Sequence, residues 1–91
     1  MAHLQKNKAR LMARVRRIAG QMAAIEKAID QDADCSLVLQ QVAGARGALN
    51  GLMGELIEDH VREHVARPGL DATARAAGAE ELIAVVRRYA K

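Results

Sequence analysis

Two histidines and one cysteine are the side chains of this sequence best suited to binding a metal ion. His60 and His64 are four residues apart, so on an α-helix both imidazoles lie on one face and can reach the same ion. Cys35 is the only cysteine, which excludes a disulfide within the chain. One thiolate with two or three imidazoles suits a borderline ion such as Ni(II), Co(II) or Zn(II), whereas Cu(I) usually requires more sulfur. The plainer alternative is that the histidines are solvated and Cys35 packs as a small apolar side chain.

His3 and Glu63 are two further candidate ligands with weaker support. His3 lies on an N-terminal arm that could become ordered when an ion binds, and Glu63 offers a carboxylate beside His64. A solvated surface position is the alternative for both side chains. The predicted metal site therefore consists of Cys35, His60 and His64, with His3 and Glu63 as possible additional ligands.

Positive charge is concentrated near the N-terminus. Residues 1–25 contain six Lys or Arg and no Asp or Glu, although the whole chain has a formal net charge of only +3. Arg10, Arg14 and Arg17 share one face of a helix, and Arg16 lies beside them. Such a stripe attracts phosphate groups, so it predicts DNA binding. An ordinary solvated face is the alternative interpretation.

Several common functional patterns are missing from the sequence. It has no zinc-finger spacing, leucine zipper or helix-turn-helix pattern, so recognition through phosphates and DNA shape is favoured over base readout by one inserted helix. Ser36 has no histidine and aspartate in evident reach, and the glycines match no nucleotide-binding loop, so we expect no enzymatic activity. No apolar run approaches the roughly 20 residues that span a bilayer, and no signal-peptide pattern is present. A cytoplasmic protein without a membrane partner is expected.

The apolar residues predict a first amphipathic helix that ends in a short turn. Steps of three and four residues from Leu11 to Ile29 place this helix at about residues 5–29. The acidic stretch 30–34 breaks the pattern with residues that favour turns, and Asp34 is suited to capping the next helix. A tight helix-to-helix connection is the simplest interpretation.

A second, longer helix is predicted over about residues 35–65. Helical apolar spacing runs from Leu39 to His60, and no proline occurs before Pro68. The segment nevertheless contains four glycines, each of which destabilises a helix interior by up to ~1 kcal/mol: Gly44, Gly47, Gly51 and Gly54. A loop is the alternative, but the apolar period crosses the glycines without a phase shift. Close approach by another helix explains them better.

A short third helix should complete the chain. Arg67-Pro68-Gly69 ends the second helix, and a small polar and alanine-rich connector separates it from an amphipathic segment that includes Leu82 and Tyr89. The chain fits one domain, 1–91, with an aliphatic core because Tyr89 is the only aromatic residue. The predicted fold class is all-α, with three helices per chain.

The length of the second helix indicates a dimer. Thirty residues span roughly 45 Å, which is longer than a compact domain of this size is wide. An antiparallel copy from a second chain would cover the apolar seam in a twofold four-helix bundle, with the glycines at the crossing. Cys35 and His60 are ~37 Å apart along one helix, but a crossing near residues 47–50 brings Cys35 of one chain opposite His60 and His64 of the other. The geometry that explains the glycines therefore also assembles the metal ligands.

Three stretches of the sequence carry a specific combination of residues. They are the run RVRRIAGQ from Arg14 to Gln21, the segment from Cys35 to Met53 that includes Arg46, and His60 through His64. In combination they resemble the CsoR/RcnR/FrmR family over nearly the whole chain. The resemblance implies helical dimers paired into tetramers that repress metal-efflux or aldehyde-detoxification operons and leave operator DNA when an inducer binds. The family's DNA-contacting basic residues match best at Arg14 and Arg17, with Arg46 as a third.

The resemblance also bears on the inducer. Within the family, the residues at four positions determine which inducer is bound. In this sequence those positions are occupied by His3, Cys35, His60 and His64. This set is similar to that of the nickel- and cobalt-responsive branch, whereas copper sensors carry cysteine where His64 stands. The implied function is a repressor that binds operator DNA when metal-free and is released by Ni(II) or Co(II).

Two alternatives remain open. Formaldehyde sensors of the same family share Cys35 and His60, but they generally lack a histidine at position 64 and have proline where Ala2 stands; such a repressor would use Cys35 as a nucleophile. A cytosolic metal buffer or chaperone is an alternative of another class, in which the basic stripe is incidental. Metal titration separates the first alternative from a metal sensor, and salt-sensitive DNA binding would discount the second.

Overall fold

The computed structural model describes residues 2–89, with side chains from Gln5 onward. This part of the chain contains a short 3-10 segment, Ala2–Asn7, followed by three α-helices: α1, Lys8–Asp30; α2, Cys35–His64; and α3, Ala72–Tyr89. It contains no β-strand, and none of its helices is long and apolar enough to cross a membrane. The all-α class and the three helices are therefore confirmed.

α1 begins at Lys8 instead of near residue 5, because the residues before it form tighter 3-10 turns. At its other end the chain turns through a left-handed residue, Asp32, whose φ is 55°. The Asp32 amide donates to the Ile29 carbonyl at 3.1 Å, and the Ala33 amide donates to the Ala28 carbonyl at 2.9 Å. These bonds satisfy carbonyls that the end of a helix leaves open. The predicted acidic turn is confirmed.

α2 runs without interruption from Cys35 to His64, so the loop considered at its four glycines is excluded. Asp34 directly precedes the helix, as predicted. Its backbone carbonyl accepts a hydrogen bond from the Val38 amide at 3.2 Å, and its carboxylate accepts one from Ser36 Oγ at 2.8 Å. Both contacts fix the first turn of α2, which carries the cysteine.

α3 is longer than predicted, because the residues expected to form a connector are helical from Ala72 onward. Alanine has the highest helix propensity of all residues, and Asp71 provides a cap. The Asp71 carboxylate accepts a hydrogen bond from the Ala74 amide at 2.7 Å, and the Asp71 carbonyl accepts one from the Arg75 amide at 3.0 Å. The prediction of a non-helical connector in this region is wrong.

Replacing Asp71 by alanine is expected to lower the free energy of unfolding by about 1 kcal/mol, because the Ala74 amide loses its side-chain acceptor. Chemical denaturation at a fixed protein concentration measures this loss. Asp71→Asn retains an acceptor oxygen and should lose clearly less stability. Equal losses in the two variants would show that the cap does not stabilise α3.

The chain divides into two compact units, which are Asn7–Met53, and Met1–Lys6 together with Gly54–Lys91. The buried core of the first unit lies mainly on one side of α1: Leu11, Ile18, Ile25 and Ala28, with Ala45 of α2. Three of these α1 residues repeat every seven positions, as a core-facing helix side requires. In the second unit Gly78 of α3 is buried. A single domain over 1–91 stays a prediction.

The first unit also exposes large apolar side chains. The three- and four-residue steps from Leu11 to Ile29 define an apolar seam on α1. Three of its residues are exposed by 43%, 51% and 60%: Val15, Met22 and Ile29. Leu39 of α2 is 63% exposed. The seam is therefore only partly covered by the described residues of one chain, and exposed apolar surface of this extent is typical of an interaction surface.

Candidate metal centre and nucleic-acid interface

The histidine pair lies on the last two turns of α2. The ring centroids of His60 and His64 are 4.9 Å apart, with an angle of 42° between the ring planes. Both residues are partly buried, and the His60 side chain is only 18% exposed. The helix therefore places the two imidazoles side by side, as their spacing predicts.

α3 supplies a hydrogen-bond partner for His60. Nε2 of His60 is 2.9 Å from the carbonyl oxygen of Gly78, and the Glu81 carboxylate is 3.8 Å from the same nitrogen. A carbonyl can only accept a hydrogen bond, so Nε2 carries the proton and donates. In the neutral imidazole the lone pair is then on Nδ1, which is the nitrogen able to coordinate an ion. Backbone or carboxylate contacts of this kind orient the histidine ligands of metal sites.

α3 approaches α2 closely at Gly78. A Cβ atom at this position would lie 2.8 Å from the carbonyl carbon of His64, which is closer than real Cβ contacts. Only glycine therefore permits α3 to approach the histidine pair so closely. Sequence reasoning missed Gly78 and Glu81; the available signal was a glycine within an alanine-rich run, followed by acidic residues.

Glu63 is engaged by two cations. Its carboxylate is 3.5 Å from Lys6 Nζ and 3.8 Å from Arg67 Nη1, and its side chain is 22% exposed. Lys6 belongs to the 3-10 segment, so one of these ion pairs joins the N-terminal segment to α2. The side chain of His3, the other weaker candidate, lies outside the described side chains.

Cys35 is the first residue of α2, and its free thiol is exposed. Within the described side chains, no three His, Cys, Asp or Glu residues come together as a metal-binding group. The structure therefore brings His60 and His64 together and does not add Cys35 to them within one chain. The donor types fit a borderline divalent ion, since two imidazoles are adjacent and a thiol is accessible.

The predicted DNA-binding residues lie in the unit formed by Asn7–Met53. Arg10, Arg16 and Arg17 of α1 are exposed, as is Arg46 of α2. Arg14 differs because it is only partly exposed and its guanidinium lies against Gly51 of α2. Four of the five predicted DNA-binding side chains are thus exposed and accessible to phosphate groups.

Two amide oxygens are buried in the same unit without a hydrogen bond. They are Oε1 of Gln21 on α1 and Oε1 of Gln41 on α2, and no donor among the described residues reaches either oxygen. An unsatisfied buried acceptor is destabilising by roughly 1–3 kcal/mol. Buried acceptors of a native protein normally have a hydrogen-bond donor, so these two oxygens need one that the described residues do not supply.

Comparison with known proteins identifies the class. A family model described as a metal-sensitive transcriptional repressor matches residues 7–88, so the chain belongs to this family of DNA-binding repressors. Over all 91 residues, which is the full length of both chains, it is 40% identical to the transcriptional repressor RcnR of Salmonella arizonae. It is also 46% identical, again over both full lengths, to a Serratia marcescens protein described only as an uncharacterized protein in the bioA 5′ region.

A solved structure is similar as well. It is a variant of the formaldehyde-responsive regulator FrmR from Salmonella enterica serovar Typhimurium, in which histidine replaces a glutamate. The TM-score is 0.87 and the identity 39%, over 92% of this chain and 94% of that chain. The family resemblance found in the sequence is confirmed, and the family consists of repressors, not enzymes. Because RcnR and FrmR are about equally similar to this chain, the choice of inducer rests on the residues of the site.

Proposed function

We propose that this protein is a repressor that binds operator DNA when metal-free and is released by Ni(II) or Co(II), with Zn(II) as a further ion the site could bind. The observation that carries the proposal is the His60–His64 pair, with ring centroids 4.9 Å apart and Nε2 of His60 donating to the Gly78 carbonyl. A bound ion would supply Lewis acidity that fixes these imidazoles in one arrangement. His64 favours a metal over formaldehyde, since it adds an imidazole donor beside His60.

The complete site is proposed to form between two chains. Cys35 of one chain would join His60 and His64 of another in an antiparallel four-helix-bundle dimer, and dimers would pair into tetramers. The continuity of α2 supports this arrangement, as do the exposed side chains of Val15, Met22, Ile29 and Leu39. The buried amide oxygens of Gln21 and Gln41 would find donors at the same interface.

The weaker ligands have different roles in this proposal. The Glu63 carboxylate forms ion pairs with Lys6 and Arg67, so coordination of an ion would compete with these two cations. Glu63 therefore acts first as an anchor for the N-terminal segment. His3 would complete the ligand set from that segment.

DNA binding is assigned to the cationic residues of the Asn7–Met53 unit: Arg10, Arg14, Arg16, Arg17 and Arg46. The protein is in equilibrium between a form that binds DNA and a form that releases it. An ion that binds the second form more tightly shifts the equilibrium toward release, to an extent set by the difference between its two affinities. A coupling of about 1–3 kcal/mol is typical of such linkage. We place the protein in the cytoplasm, where Cys35 would stay reduced. Family membership favours a repressor over the metal buffer or chaperone.

A formaldehyde-responsive repressor is the second candidate, and the exposed Cys35 thiol and the FrmR relative support it. The thiolate would attack the carbonyl carbon, forming a C–S bond while the carbonyl π electrons move to oxygen, which takes up a proton. This reaction requires Cys35 but not His64. The effect of His64 therefore separates the two candidates.

Mixing two inactive variants tests whether the site forms between chains. Cys35→Ala and His64→Ala should each bind Ni(II) weakly alone, but a mixed dimer has one site with both changes and one intact site. After subunit exchange at equal amounts, about a quarter of the wild-type number of tight sites should return. Competition against a chromophoric chelator counts the tight sites. Each variant taken alone through the same exchange procedure sets the background. No recovery after verified exchange would contradict a site shared between chains.

A further inference from the structure

Gly51 accommodates the side chain of Arg14. A Cβ atom at Gly51 would lie 2.5 Å from Nη1 and 3.7 Å from Cζ of Arg14, so the guanidinium occupies the space that a larger residue would fill. Gly44 and Gly47 of the same helix have no described neighbour within 4 Å of such an atom. Both Gly51 and Arg14 belong to the Asn7–Met53 unit. The contact with Arg14 therefore distinguishes Gly51 from the glycines that precede it.

Arg14 also differs from the other cations of its helix. Arg10, Arg16 and Arg17 are exposed, whereas Arg14 is partly buried. An exposed arginine samples many rotamers, and ordering such a side chain at an interface opposes binding. A guanidinium already held against the backbone of α2 has lost part of that freedom before any ligand arrives.

We propose that Gly51 is a positioning residue for DNA binding. By lacking a side chain, it lets the Arg14 guanidinium rest against α2 in one orientation, and a phosphate then meets a cation that is already ordered. The inference rests on the proposed DNA contact of Arg14. It assigns Gly51 of α2 an effect on DNA binding that is exerted only through Arg14. Gly51 itself touches no DNA in this proposal.

Gly51→Ala is the direct test. The nearest obstacle to the new methyl group is the far end of a flexible side chain, so the guanidinium moves and the fold is retained. Alanine also favours α2 as a helix, so weaker binding would not arise from unfolding. Affinity for a fluorescent duplex from upstream of the protein's own gene should fall about three- to tenfold, the effect of one side chain that must now be ordered on binding.

The salt dependence separates positioning from contact. Gly51→Ala retains the same cations, so the slope of log affinity against log salt concentration should match that of the wild type. Arg14→Ala removes one phosphate contact and should reduce the slope by about 1. A Gly51→Ala slope reduced as in Arg14→Ala would show that the guanidinium no longer reaches DNA, and would overturn the positioning role.

Two controls complete the experiment. Gly20→Ala makes the same exchange in α1, where a Cβ atom meets no described atom within 4 Å, and should leave affinity unchanged; an equal loss there would overturn the inference. In an Arg14→Ala background, Gly51→Ala should have no further effect, and an undiminished effect would overturn it too. Wild-type protein that fails to bind the duplex would count against the proposed function itself. Wild-type binding that Gly51→Ala leaves unchanged would count against the inference alone.

Discussion

Replacing His64 by alanine is expected to abolish the release from DNA that Ni(II) or Co(II) causes, while DNA binding without metal is retained. His64 supplies one of two adjacent imidazoles, and its ring is 4.9 Å from that of His60. Removing it leaves too few donors to distinguish the released form from the bound form. A metal effect of about 5- to 150-fold on DNA affinity, the usual range for such coupling, should fall to nearly none.

The measurement is DNA affinity with and without saturating Ni(II), by fluorescence anisotropy at fixed salt. Arg62→Ala is the matched control, since Arg62 is exposed on the same turn and pairs with Glu58. It should keep the full metal response. Cys35→Ala should lose the response as His64→Ala does. A full nickel response in His64→Ala would contradict the proposed ligand set.

Replacing Gly78 by alanine is expected to lower the free energy of unfolding by about 1–3 kcal/mol. The new Cβ would overlap the backbone of His64, and backbone cannot move aside as a flexible side chain can. Helix propensity alone predicts the opposite sign, because alanine in place of glycine stabilises a helix by up to ~1 kcal/mol. The sign of the change therefore tests the close approach of α3 to α2 directly.

The same substitution should weaken metal binding. The clash would move the Gly78 carbonyl away from Nε2 of His60, and loss of such an outer partner typically reduces metal affinity by about 10- to 100-fold. Chemical denaturation measures the loss of stability, and competition for Ni(II) measures the loss of metal affinity. Both are done at one protein concentration, because the stability of an oligomer depends on concentration. Gly20→Ala in α1, where a Cβ atom meets no described atom within 4 Å, should not lose stability. A Gly78→Ala variant as stable as wild type would contradict the described packing.

Much of the fold could be predicted because the apolar period is regular. Because the period continues across the four glycines without a phase shift, it predicted a continuous α2. The residue types of the acidic stretch predicted the turn before Cys35. The start of α1 and the length of α3 could not be predicted in the same way. α3 begins at Ala72 because Asp71 caps it, and an alanine-rich stretch with few apolar side chains gives no periodic signal.

The candidate site was predicted only in part. The spacing of His60 and His64 places them together within one helix, which a local pattern can show. The contact of His60 with Gly78 joins residues 18 positions apart, and it depends on how two helices pack, which sequence periodicity does not encode. The spacing of apolar residues predicted α1 as an amphipathic helix, yet Met22 on its apolar face is 51% exposed. Apolar spacing predicts that a side chain is buried, but it does not identify the surface that buries it.

One titration tests the central proposal most directly. Reduced, metal-free protein, kept anaerobic, is bound to a fluorescent duplex from upstream of its own gene, and Ni(II), Co(II), Zn(II), Cu(I) and formaldehyde are added in separate experiments. We expect DNA binding without inducer, a steep fall in affinity with rising salt, and release by Ni(II) or Co(II). Release by formaldehyde alone would contradict the metal-responsive function, and absence of DNA binding would contradict its action as a repressor at this promoter.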